Sequence, residues 1–284
     1  MIDIEEFQIR GVPGQIHKVK FGNRTVDYWA PEKPGSHLIV AHDGQNILDK
    51  RNIGINPHQR ATWELAQSAI RIAENNGITP PTVICVYHTL YAEDPIGRLK
   101  EYTPEKFMNS RDKWMIENYG LYEGSVDEFI GNLSADKLLE EITTQIVPQI
   151  TSRINHAFEP AHTALLGASM GGLASIYGVI TNPDFFHTSL AFSPHWVIGG
   201  DPLAQALMSN FPKPGKHKLW MSRGTKGLDA NYEGSQIVAD RIIRANGYRD
   251  GRDLETHVFK RGAHTNATWA RYLPQALAFW MRDY

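Results

Sequence analysis

Apolar residues in this chain gather into short continuous runs, separated by stretches whose apolar positions recur at helical spacing. The runs His37-Leu38-Ile39-Val40-Ala41, Thr82-Val83-Ile84-Cys85-Val86-Tyr87, Thr163-Ala164-Leu165-Leu166, Thr188-Ser189-Leu190-Ala191-Phe192, His217-Lys218-Leu219-Trp220-Met221 and Leu254-Glu255-Thr256-His257-Val258-Phe259 read as strands. Most lack polar alternation, as strands covered on both faces do. Between them, residues 58–76 place Ala61, Leu65, Ala69, Ile72 and Ala73 at helical intervals before Gly77. After Ser134, which suits an N-cap, Leu138, Ile142, Ile146 and Ile150 share one helical face, and Pro148 is expected to bend or split that helix. Further helices are expected around residues 202–208, over 230–246 up to Gly247, and from Thr268 onward. Residues 17–21 and 24–29, joined by Gly22-Asn23, read as an antiparallel pair. The alternation predicts an α/β fold: a mostly parallel central sheet, helices on both faces and an antiparallel N-terminal edge.

The periodicity fades from Asp94 to about Leu133, where Tyr102, Phe107, Trp114, Tyr119, Tyr122 and Phe129 are scattered among charges. Long irregular stretches inside compact domains serve as lids, binding loops or wrapped surface segments, so residues 94–133 are read as a lid or rim forming one wall of a pocket.

With 284 residues, 42% hydrophobic and 21% charged, the chain can bury a large core, and one domain over residues 1–284 is expected. A formal net charge of −2 gives no field suited to nucleic acid, and no run of about 18 apolar residues suits a membrane. The acidic start Met1-Ile2-Asp3-Ile4-Glu5-Glu6 and the lone Cys85, read as a small buried hydrophobe, lead us to expect a cytoplasmic protein. The oligomeric state is not legible.

The strand at 163–166 runs into Gly167-Ala168-Ser169-Met170-Gly171-Gly172 and then a helix-like stretch. A serine on so sharp a strand-to-helix turn is presented to solvent, and the helix N-terminus behind it favours developing negative charge. Such a serine needs a base oriented by a third group. His264 follows the last strand; His42, His88 and His195 also follow apolar runs and are its rivals. Asp229, in the loop after the strand at 217–221, is the expected acid, with Glu233 as the alternative. The order Ser169, Asp229, His264 is that of α/β-hydrolases. For the oxyanion, backbone N–H donors are expected from Met170 and from Gln45, where Gly44 permits a turn in His42-Asp43-Gly44-Gln45-Asn46. No H-x-x-E-H or H-E-x-x-H spacing suggests a metal, and no cofactor is required.

Together, His42-Asp43-Gly44-Gln45-Asn46-Ile47-Leu48-Asp49, Arg98-Leu99-Lys100-Glu101-Tyr102-Thr103-Pro104, the Ser169 turn, Gly224-Thr225-Lys226-Gly227-Leu228-Asp229 and Ala263-His264 followed by Trp269 resemble the "putative esterase" family of α/β-hydrolases. That family includes siderophore trilactone hydrolases, feruloyl and acetylxylan esterases, S-formylglutathione hydrolase and antigen 85 mycolyltransferases. The resemblance covers about residues 15–284. It implies Ser169 as nucleophile, His264 as base, Asp229 as acid, and the N–H groups of Gln45 and Met170 as oxyanion hole. Asp43, Gly44, Arg98, His195 and Trp196 are then expected to contact substrate, although Arg98 and Glu101 could instead anchor the loop. The implied activity is hydrolysis of a small or medium ester through an acyl-enzyme. An acyltransferase using the same residues, or a non-catalytic binding module on the same fold, are the alternatives.

Overall fold

The computed structural model describes residues 1–52, 61–89, 93–108 and 126–282. Its described strands are β1 (Ile2–Phe7), β2 (Ile16–Phe21), β3 (Arg24–Trp29), β4 (Leu38–Ala41), β5 (Thr82–Val86), β6 (Thr163–Ala168), β7 (Thr188–Phe192), β8 (Lys218–Lys226) and β9 (Leu254–Ala263). They join one sheet in the order β1-β2-β3-β5-β4-β6-β7-β8-β9. The pairs from β1 to β3, and β3 with β5, are antiparallel, and every pair from β5 to β9 is parallel. The expected mixed sheet is therefore present.

Alternate residues of each central strand feed two separate cores. Leu38, Val40, Ile84 and Leu165 point to one face, where Leu138, Ile142, Leu173, Ile176, Leu203 and Ile243 cover them. Ile39, Ala41, Val83, Cys85 and Leu166 point to the other, under Leu65, Ala69, Leu273 and Leu277. Strands β4 to β7 are buried throughout, which is why they read as unbroken apolar runs. Cys85 is a fully buried thiol, as expected.

Several local expectations need correction. The edge strand β1 was not legible because most of its residues are exposed and it pairs with β2 alone, so no periodic burial marks it. Strands β8 and β9 extend beyond Met221 and Phe259, to Lys226 and Ala263, through glycines and charges that resemble loop. The helix expected over 58–76 is seen as Leu65–Asn76; residues 53–60 lie outside the described residues, and Glu64 at φ 51° precludes an earlier continuous helix. Around Pro148 the helix is not broken by a loop but divided into two α segments by a π turn. A π turn at Ile142–Ile146, with Val147 N–H donating to Ile142 O, absorbs the missing proline donor between Ala135–Glu141 and Val147–Arg153. Ser134 makes no side-chain cap; Glu105 Oε1 instead accepts from Asp136 N at 3.0 Å.

Among the described residues no helix is long and apolar enough to cross a membrane. One buried charge in β3 has a measurable consequence. Asp27 is fully buried, accepts from Tyr87 Oη at 2.9 Å and lies 4.0 Å from Lys18 Nζ. Burial outweighs both partners and pushes its pKa up to about 7. An acid whose pKa is higher folded than unfolded stabilises the fold while protonated, so this contribution is lost as pH rises from about 4 through about 7. Asp27→Asn should remove that slope and raise stability at pH 8 by on the order of 4 kcal/mol at most. Thermal melts from pH 5 to pH 8 that show the same slope in both proteins would contradict this.

Candidate active site

The carboxyl ends of the parallel strands β4, β6, β7, β8 and β9 meet at one edge of the sheet, where loops of α/β proteins build their sites. β6 ends at Ala168 and the helix Met170–Thr181 begins one residue later. Ser169 alone makes the turn, at φ 58° and ψ −125°, a strained conformation for a residue with a Cβ. The strain is held by neighbours: Ser169 N donates to Phe192 O at 2.9 Å, and His195 N donates to Ser169 O at 3.1 Å. Gly167 is required because a Cβ there would sit 2.3 Å from Gly171 O.

His264 closes the loop after β9, immediately before the helix Asn266–Trp280, whose N-cap Thr265 accepts from Thr268 N at 3.2 Å. Its Nδ1 lies 2.6 Å from Asp229 Oδ1, which leaves Nε2 for the cleft that Ser169 also lines. Asp229 is fully buried, and its second oxygen accepts from Ser193 Oγ at 2.8 Å and from Gly224 N at 2.6 Å. Both carboxylate oxygens are thus engaged, and Trp269 Nε1 donates to Ser193 Oγ at 3.0 Å behind them. Glu233, the alternative acid, is exposed and ion-paired with Arg223 at 2.6 Å, so it does not serve His264. Of the rival histidines, His42 is buried against the Tyr102 ring, and burial holds its pKa at about 4. His88 bonds Thr89 O through Nδ1, and its Nε2 is 3.9 Å from Asp43.

The loop after β4 approaches Ser169 from the other side. Asp43 takes the left-handed conformation (φ 54°, ψ 43°) that turns the chain, a role the sequence reading assigned to Gly44. Gly44 is needed for a different reason: a Cβ there would lie 2.5 Å from the Cys85 backbone of β5. In the 3-10 turn Gly44–Asn46, the amides of Asn46 and Ile47 close internal bonds to Asp43 O and Gly44 O, while Gln45 stands in the first turn, where amides lack an internal partner. Met170 opens the helix behind Ser169 in the same way.

The stretch from Arg98 to Pro104 anchors this loop. Arg98 donates from Nε and Nη2 to the two Asp43 oxygens at 2.6 and 2.8 Å, and Tyr102 Oη accepts from Asp43 N at 2.8 Å. Burial raises the Asp43 carboxyl, but the charge and hydrogen bonds of Arg98 outweigh it and hold the group below its ordinary pKa. Glu101 accepts from Arg24 Nη2 at 2.7 Å and from Thr89 N at 2.9 Å, which ties the stretch to the antiparallel edge.

The cleft over Ser169 has a volume of about 410 Å³. Asp43 and Arg98 line it with Lys226 and Leu228, but its aromatic wall comes from Trp63 and Trp269. These indoles pack on each other with centroids 5.7 Å apart, so they form one surface and not a slot. Two expectations are overturned here. Trp196 does not reach the cleft: it is fully buried in the core with Nε1 on Gln236 Oε1 at 2.9 Å. The aromatics Tyr102, Phe107 and Phe129 of the expected rim pack inward, Phe107 edge-on to Tyr177, so they form no pocket wall; Trp114, Tyr119 and Tyr122 lie outside the described residues. His195 is buried one layer behind Ser169, with Nδ1 2.7 Å from Tyr232 Oη. Among the described residues no group of three His, Cys, Asp or Glu side chains could hold a metal ion.

Sequence reasoning missed Ser193, Tyr232, Trp63 and Asn266. Asn266 lines the cleft and accepts from Trp63 Nε1 at 3.2 Å across 203 positions. No local spacing signals such a pair. Ser193, directly after β7, could have been found by asking which residue follows each parallel strand.

Comparison with known proteins gives a consistent result. YbbA of Bacillus subtilis, described as uncharacterized, is 28% identical over 219 residues, which is 75% of this chain and 72% of that protein. The BES protein of Bacillus cereus superposes with a TM-score of 0.63 and 15% identity, covering 99% of each chain. The enterobactin esterase FES of Shigella flexneri superposes with a TM-score of 0.58 and 13% identity, covering 99% of this chain and 59% of that one, so this chain spans about three-fifths of FES. At these identities the superpositions show a shared α/β-hydrolase fold. The model of the family described as "Putative esterase" matches residues 108–280, more than half of the chain and the part that carries Ser169, Asp229 and His264, and the chain belongs to this family.

Proposed function

We propose that the protein is a serine esterase in which Ser169, His264 and Asp229 form the catalytic triad. The observation that carries this reading is the 2.6 Å contact of His264 Nδ1 with a fully buried Asp229, at the same cleft as a serine held at φ 58°. Asp229 fixes the imidazole with its proton on Nδ1, so Nε2 can take the Ser169 proton as Oγ attacks the ester carbonyl. The resulting oxyanion is met by the N–H groups of Gln45 and Met170, each worth on the order of 10²-fold or more in rate for such donors. His264 then protonates the departing alcohol, and water activated by the same nitrogen cleaves the acyl-enzyme.

A cleft of about 410 Å³ suits one small or medium ester, with an apolar or aromatic portion laid on the Trp63–Trp269 wall. With Arg98 neutralised by Asp43, Lys226 gives the rim its positive charge, which would favour an ester with an anionic substituent. The sheet that unites all described strands supports reading the chain as one domain.

Treatment with a fluorophosphonate should abolish hydrolysis of p-nitrophenyl acetate, with label mapped to Ser169 by peptide mass spectrometry. Full activity in a completely labelled protein, or label on another residue with loss of activity, would overturn the assignment.

A further inference from the structure

Ser193 directly follows β7, is buried, and holds a left-handed backbone at φ 43°. Glycine takes that conformation without strain, whereas a residue with a Cβ takes it at a cost. The Ser193 amide donates to Ser222 O of β8 at 2.7 Å, which helps to hold the turn. The hydroxyl so presented meets two groups from separate elements. Trp269 Nε1, in the helix Asn266–Trp280, lies 3.0 Å away, and Asp229 Oδ2, in the turn Gly227–Tyr232, lies 2.8 Å away. The triad mechanism uses Asp229 but gives neither Ser193 nor the indole nitrogen a task.

Donor and acceptor chemistry fixes the direction of each bond. An indole N–H only donates, so Ser193 Oγ is the acceptor toward Trp269. An ionised carboxylate only accepts, so the one hydroxyl proton lies on the bond to Asp229 Oδ2. That oxygen also accepts from Gly224 N at 2.6 Å, and a Cβ on Gly224 would stand 2.8 Å from it, so glycine lets the β8 backbone come this close. With Oδ2 held by two donors from different strand ends, the carboxylate plane is set and Oδ1 faces His264 Nδ1 at 2.6 Å. Trp269 meets the site on its other side as well: its ring lines the cleft and stands edge-on to His264, with centroids 4.8 Å apart.

We propose that Ser193 is a positioning residue for the triad acid, its proton aimed at Asp229 by Trp269, so that the aromatic wall of the cleft also fixes the carboxylate that orients His264. The proposal rests on the triad assigned above. Ser193 makes no bond to substrate; it holds the acid in place and spreads its charge toward Oδ2.

Ser193→Gly and Ser193→Ala both remove the hydroxyl, but glycine suits φ 43° and alanine keeps the strain that serine bears. A fault of folding would separate the two variants, whereas loss of the donor strikes both alike. In each, kcat for p-nitrophenyl acetate should fall about 10-fold with KM unchanged, the factor a hydrogen bond to a charged group commands. Charge no longer shared with Ser193 should also favour a protonated His264. Because the histidine must be neutral to act as base, the acid limb of the kcat/KM profile should move to higher pH by about half a unit or more. The other charged and titratable groups around His264 are Tyr232, edge-on at 5.8 Å, His195 beyond that phenol, and Arg98, Asp43 and Lys226 along the cleft; both variants keep them. A kcat within twofold of the wild type, an acid limb that stays in place, or losses that follow the melting temperatures of the two variants would overturn the proposal. If the glycine variant does not fold by thermal melt, the same two kinetic readings in Ser193→Ala decide it. A wild-type protein without esterase activity, or an Asp229→Asn variant that keeps it, reports the failure of the triad assignment and not of this positioning role.

Discussion

Ser169→Ala is expected to lower kcat for p-nitrophenyl esters by at least ~10⁴-fold, with the fold and KM little changed. In the proposed mechanism this hydroxyl attacks, and among the described residues that line the cleft no other is a serine, threonine or tyrosine. The backbone bonds that hold the elbow, Ser169 N to Phe192 O and His195 N to Ser169 O, involve no Ser169 side-chain atom. Alanine carries the same Cβ at φ 58° that serine carries, so no new backbone strain is introduced. Residual hydrolysis should reflect the oxyanion donors and binding alone. A purified variant that retains more than about a tenth of wild-type kcat, free of contaminating esterase, would sink the proposed mechanism.

Asp229→Asn is expected to cost about 10³- to 10⁴-fold in kcat, because it inverts the histidine tautomer. Asp229 accepts on both sides: its Oδ2 receives the Gly224 amide at 2.6 Å and the Ser193 hydroxyl at 2.8 Å, and its Oδ1 meets His264 Nδ1 at 2.6 Å. The Gly224 amide can only donate, so an asparagine must turn its single oxygen there. Its NH₂ then faces His264, which can satisfy it only by offering the Nδ1 lone pair and moving the proton to Nε2. That nitrogen can no longer accept the Ser169 proton. Glu233→Gln, on an exposed carboxylate paired with Arg223, should leave kcat within about twofold, as surface ion pairs contribute little. Steady-state kinetics of both variants decide the matter; a loss smaller than tenfold in Asp229→Asn would exclude it as the orienting acid.

The strands that build the centre of the sheet were legible because their burial is local information. β3 and β7 begin and end where the apolar pattern does, and β4 and β5 differ from it by a single residue. The placement of Ser169, Asp229 and His264 after successive strands was legible for the same reason, since a parallel sheet delivers every strand's carboxyl end to one edge. Boundaries failed where a backbone event carried no composition signal. Glu64 takes a left-handed conformation without glycine, and the π turn before Pro148 leaves the helical face of Leu138, Ile142, Ile146 and Ile150 intact, so the periodicity reads through it.

By itself, then, the sequence determined the order of the central strands and the helices between them, the elbow at Ser169 and the chain order of Ser169, Asp229 and His264. Tertiary structure alone decided which aromatic rings face that cleft. Trp196, four residues from a strand end, turns into the core, whereas Trp63 and Trp269, 206 positions apart, come together as the wall. It also decided that Asp229 and not Glu233 meets His264, and that Tyr232 meets His195. The physical reason is one of range. Burial periodicity and turn chemistry are written in neighbouring residues, but side-chain direction at the sheet edge depends on how distant loops crowd one another, and that is set only when the whole sheet has assembled.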